Sequence, residues 1–193
     1  MKKTAVLIYD AFCHFEISVA LETLALHNKS IDVFAKKREL VKSEEGFKIF
    51  PDKIIYECDL EEYDSLLLPG ATDIRHAVED MEMIEFIKKF RGKVIGAISI
   101  APILLVKAGM LSGKAFMIGA TKEGLLEEGY TTTDLQYMKD WNECIQNPIA
   151  EGYVVDENIV TSVSFEFVKF GIQFCKMLDI EISPRSFGLS DRN

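Results

Sequence analysis

The sequence predicts an α/β domain built on a mostly parallel sheet with helices covering both faces. Two observations carry that reading. Short runs of consecutive apolar residues at 4–9, 65–68 and 93–98 have the pattern of strands buried on both sides. The longer segments between them repeat apolar residues at helical spacing, and strands alternating with helices point to βαβ units.

Each element follows in order. Residues 4–9 form the first strand, bounded by Asp10. Residues 15–27 form a helix with Ile17, Ala20, Leu21 and Leu24 on one face. Asn28-Lys29-Ser30 breaks it, and 31–35 reads as a second strand. Residues 36–55 are polar and interrupted by Gly46, which predicts a small antiparallel excursion with 47–49 as one arm. The strand 65–68 stops at Pro69-Gly70, and 74–90 carries helix periodicity. The strand 93–98 is followed by a helix over 101–108, closed by Gly109. Beyond Gly113 the pattern weakens: 116–118 reads as a short strand, 121–128 as a short helix, and 131–147 has no assignable pattern. Residues 153–155 and 159–161 make a hairpin around the turn 156–158, and 165–178 is a final amphipathic helix. With no internal repeat, low-complexity tract or linker, residues 1–193 are expected to form a single domain.

Composition narrows the partners. The chain holds 22 basic and 31 acidic residues for a net charge of −9, which repels phosphate backbones and anionic lipid. Neither nucleic acid nor membrane is expected as a partner. No apolar stretch approaches the roughly 18 residues that span a bilayer. The start of the chain lacks a signal-peptide core and a cleavage site, so a cytoplasmic location is expected. The four cysteines are widely spaced with no C-x-x-C pair, and none of the three histidines stands in ligand spacing with one. The expectation is free thiols, no metal and no cofactor.

The chemistry concentrates at Ala97-Ile98-Ser99-Ile100-Ala101-Pro102, where a buried strand runs straight into a helix. In open α/β sheets, ligands bind beyond the carboxyl ends of the strands. Small residues flank one hydroxyl at this junction, which is the layout of a nucleophile elbow. A serine before a helix is also a common N-cap, and on spacing alone that reading leads. Two other strand ends converge on the same edge: residues 10–16 and 69–76.

The elbow, with Leu104-Leu105 and the stretch Ala108-Gly109-Met110-Leu111-Ser112-Gly113 behind it, resembles that of the ThiJ/PfpI superfamily. Three further blocks match in order: Asp10-Ala11-Phe12 through Glu16, Leu66-Leu67-Leu68-Pro69-Gly70-Ala71, and residues 156–162. The resemblance implies a flavodoxin-like three-layer sandwich, the fold also seen in class I glutamine amidotransferases, and a homodimer. It implies Ser99 at the position of the family's nucleophilic cysteine, with Glu16 beside it. The amides of Ala71 and Ile100 would form the oxyanion hole. The chain departs from the family where Ser99 replaces cysteine, Ile100 a frequent histidine, and Ala71 and Ala101 glycines. A hydroxyl is far less acidic than a thiol and needs an adjacent base. Ser99 also cannot form the sulfinate used in redox sensing.

Two functions follow as expectations. One is a small-molecule-binding or regulatory, stress-related protein with weak or no cysteine-type catalysis. The other is an intracellular amidase, peptidase or glyoxalase-like enzyme using Ser99 with Glu16. Cys13, His14 and His76 are candidate pocket-lining residues. Arg75 is weighed as a substrate contact and as a solvated surface charge, the latter preferred. Trp141, Tyr137 and Met138 are weighed as pocket wall, packing or dimer contact.

Overall fold

A computed structural model describes residues 1–190. In chain order it forms β1 (Lys3–Leu7), α1 (Ser18–Leu26), β2 (Ile31–Ala35), β3 (Val41–Lys42), β4 (Lys48–Ile49), β5 (Lys53–Ile54) and β6 (Tyr63–Leu68). Then come α2 (Arg75–Glu79), α3 (Met81–Lys89), β7 (Val94–Ile98), α4 (Pro102–Lys107), β8 (Phe116–Met117) and α5 (Lys122–Glu127). The chain continues through β9 (Met138–Lys139), α6 (Trp141–Gln146), β10 (Val154–Asp156), β11 (Ile159–Ser162) and α7 (Phe167–Lys176).

The main sheet has the order β10-β11-β7-β6-β1-β2-β5. Every pairing in it is parallel except β10 with β11. This is the expected mostly parallel α/β sandwich. The order turns at β1, with β2 on one side and β6 on the other, so the carboxyl ends of β1, β6 and β7 open a crevice between them.

The inner strands are apolar on both faces because both are covered: Ala5, Leu7, Leu66, Leu67, Leu68, Ile95 and Ala97 are all buried. On one face α1 packs against α7, and Gly96 of β7 lies beneath Phe170 and Phe174. On the other, the rings of Phe86 from α3 and of Phe90, which caps that helix, stack near Phe34 and Tyr63 at tilted angles.

Three local predictions change. The single helix expected over 74–90 is two helices. Asp80 leaves helical geometry at ψ 96°, and its carboxylate accepts the amides of Glu82 and Met83. That bond gives the second helix its own N-cap, which overrides the periodicity running through it. The excursion at 36–55 contains the expected antiparallel pair, β3 with β4. It also supplies β5 as a parallel edge strand on β2, which two residues of pattern could not signal. The unassigned stretch 131–147 contains β9, paired in parallel with β8, and the short helix α6. Asp140 and Glu143 form a reciprocal capping box at its start, a signal present in the sequence as D-x-x-E.

Candidate active site

The turn after β7 is built as an elbow. Ser99 has φ +61°, the left-handed region that non-glycine residues seldom occupy. Such a conformation costs on the order of 1–3 kcal/mol and persists only when its surroundings fix it. Here both backbone groups are held: Ser99 N–H donates to Ser162 C=O at 2.8 Å, and Ser99 C=O accepts Gly119 N–H at 2.7 Å. One clamp comes from β11 of the main sheet and the other from the segment just after β8, so the surrounding fold enforces the turn. Ser99 is half-buried, and the helix behind it begins with Pro102 at its first position.

Glu16 reaches the same point from the loop after β1. The residue is buried, at 1% exposure. Its Oε2 accepts Gly70 N–H at 2.7 Å, and the Ser99 side chain lies beside it across Gly70. Burial pushes its carboxyl up to about 7; the Gly70 amide and the Ser99 side chain oppose that rise, and the charges of Glu44 and Glu45 add to it. A carboxyl so placed has the basicity of an imidazole at neutral pH.

Two glycines close on the pair: a side chain would clash at Gly70 and be crowded at Gly119. A Cβ on Gly70 would lie 2.6 Å from Glu16 Oε2 and 2.7 Å from Ser99 Cβ; one on Gly119 would lie 3.2 Å from Ser99 Oγ. The Pro69-Gly70-Ala71 turn is fixed in turn by Tyr9, whose buried hydroxyl donates to Pro69 C=O. Cys13 N–H donates to Gly70 C=O at 2.8 Å and Thr72 N–H to Ala11 C=O at 3.1 Å. These two bonds flank a bridge between Phe12 and Ala71 that leaves the Ala71 amide outside the pairing.

The remaining candidates scatter. Cys13 is buried and donates its thiol proton to Glu44 Oε2 at 2.7 Å. Burial, that bond and the nearby carboxylates push its pKa far above the usual thiol range, which makes it a poor nucleophile. His14 packs its ring 5.4 Å from Phe47. His76 is exposed and lines a separate cavity of about 310 Å³ with Lys36, Lys37 and Asp80. Arg75 is paired with Asp73 at the surface, its Nε 2.9 Å from Oδ1. Trp141 packs edge-on against Phe165 at 5.4 Å, Met138 is buried and Tyr137 is exposed. Gly70, Gly119, Tyr9 and Glu44 were not singled out from the sequence. Only the Pro-Gly turn carried a signal for any of them. Among the described residues, no group of His, Cys, Asp and Glu could hold a metal ion, and all four cysteines are unpaired.

A model of the DJ-1/PfpI family matches residues 2–177. The chain belongs to the DJ-1/PfpI family. Among its relatives is a protein named a deglycase from Pyrococcus abyssi, 24% identical over 143 residues, covering 72% of this chain and 86% of the relative. Protein/nucleic acid deglycase 2 of Escherichia coli is 33% identical over 117 residues, covering 58% of this chain and 68% of that protein. The crystal structure of a DJ-1 superfamily protein from Agrobacterium tumefaciens superposes with a TM-score of 0.78 at 19% identity. That match covers 97% of this chain and 94% of the other, and it carries the fold. Within this DJ-1/PfpI fold no helix among the described residues is long and apolar enough to cross a membrane.

Proposed function

We propose that this DJ-1/PfpI protein is an acid–base site for a small carbonyl compound, worked by Glu16, with Ser99 as a hydrogen-bonding partner. The observation that carries the reading is the buried Glu16 carboxylate, bonded to the Gly70 amide and set beside the Ser99 side chain. Titrating near 7, it can both take and return a proton at neutral pH. In this reading Glu16 removes a proton from the carbon next to the carbonyl. The electron pair moves onto the carbonyl oxygen, and the amides of Ala71 and Ile100 hold the enolate. Glu16 then returns the proton to carbon or to a neighbouring oxygen. Deprotonation needs only the carboxylate already in place, whereas acylation also requires a reactive serine alkoxide. The relatives named deglycases support carbonyl chemistry for the family site.

Non-catalytic binding or regulation is the second reading. It is favoured by Ile100 and Gly119, which set no acid or base beside Ser99. Both readings include the homodimer and cytoplasmic location that the sequence suggests.

Hydroxyacetone in D2O separates them. The wild type should speed deuterium incorporation next to the carbonyl, Glu16→Gln should lose that effect by about 100-fold or more, and Ser99→Ala about tenfold. Incorporation equal in wild type and Glu16→Gln contradicts the acid–base reading. Labelling of Ser99 by a fluorophosphonate, absent in Ser99→Ala, would instead support a covalent hydrolase.

A further inference from the structure

The β3–β4 hairpin supplies no atom to the Ser99 turn, yet its tip is fastened to the loop that carries Glu16. Ala11 N–H donates to Lys42 C=O at 2.8 Å, and Glu44 N–H donates to Phe12 C=O at 2.9 Å. The Glu44 carboxylate accepts the Cys13 thiol at 2.7 Å, and Glu45 Oε1 accepts Phe15 N–H at 2.9 Å. The His14 ring rests against Phe47 on the same hairpin. The bonds to Cys13 and Phe15 hold in place carboxylates that on an ordinary turn would swing in solvent. The hairpin's lysines, Lys42 and Lys48, are exposed on its strands.

Tyr9 and Cys13, the other titratable groups beside Glu16, carry no compensating charge. Burial, Glu16 and Cys13 keep the Tyr9 hydroxyl protonated well above its usual range, and the Cys13 thiol stays neutral. At the start of α7, Glu166 and Lys169 pair with each other at 3.2 Å. Among the described residues, no cation forms an ion pair with Glu16, Glu44 or Glu45. Fixed charges of one sign beside a half-buried site act less through attraction than through rejection of the same sign.

We propose that the hairpin tip sets the site's substrate charge: Glu44 and Glu45 exclude small carbonyl compounds bearing a carboxylate or phosphate and admit neutral and cationic ones. This rests on the carbonyl reading of the Glu16–Ser99 site.

The test follows the amide NMR signals of Gly70, Ser99 and Gly119 while titrating neutral hydroxyacetone, cationic aminoacetone and anionic glyoxylate at low ionic strength. Glyoxylate should bind at least about tenfold more weakly than hydroxyacetone, with aminoacetone no weaker than hydroxyacetone. Raising the salt to about 0.5 M should narrow that gap, as should Glu44→Gln, which keeps an acceptor for the Cys13 thiol. The salt arm uses the unaltered protein and so does not depend on a variant folding. Glyoxylate binding as tightly as hydroxyacetone overturns the proposal, as does a gap that neither salt nor Glu44→Gln changes. A site that answers to none of the three compounds overturns it together with the carbonyl reading. The predicted charge order without deuterium exchange would remove the acid–base reading alone.

Discussion

At the scale of single residues, the site trades stability for chemistry at Glu16. Its folded carboxyl titrates near 7, above the ordinary carboxylate range of the unfolded chain. Between those values the folded state keeps a proton the unfolded chain has released. Stability therefore falls as pH rises through that window and levels off above it, with a penalty of up to about 3 kcal/mol. Glutamine keeps an oxygen for Gly70 N–H and never ionises. Urea unfolding should show Glu16→Gln within about 1 kcal/mol of wild type at pH 4.5, and about 1–3 kcal/mol more stable at pH 8. The Ser99 turn was legible in the sequence as a strand-to-helix junction with small neighbours. The basicity of Glu16 was not, because it comes from burial and from Glu44 and Glu45, distant in sequence, rather than from local pattern.

At the scale of elements, close packing outranks local propensity. Gly171 sits inside α7, where alanine would ordinarily favour the helix by about 1 kcal/mol. A Cβ there would lie 2.7 Å from Ala20 N and 2.9 Å from Val19 Cβ, so α1 and α7 would have to part. Gly171→Ala should therefore lower stability by about 1–3 kcal/mol in thermal or urea unfolding, with no change in the Glu16 titration. The same priority explains which elements could be foreseen. The strands at β1, β6 and β7 are apolar runs because both sheet faces are covered, and that pattern survives in sequence. The break at Asp80, the edge strand β5 and the β8–β9 pair each depend on one cap or on two residues of pairing. Periodicity cannot register signals so short.

At the scale of the molecule, the parallel sheet is what turns four distant segments into one site. β1 delivers Tyr9 and the Glu16 loop, β6 the Gly70 turn, β7 the elbow and β11 the carbonyl that holds Ser99 N–H. Each strand ends on the same edge because each pairing among them is parallel. The family blocks in the sequence marked all four of these segments, the late hairpin being the one that contains β11. The hairpin carboxylates escaped notice because they reach the site only through the fold. The claim on which the rest depends is that this assembly holds the Glu16 carboxyl half-protonated near neutral pH. A ¹³C NMR titration of the Glu16 side chain measures it directly. The predicted midpoint is about 7, moving higher in Ser99→Ala as the lowering influence of the Ser99 side chain is lost. A midpoint in the ordinary carboxylate range, unmoved by Ser99→Ala, would contradict the account.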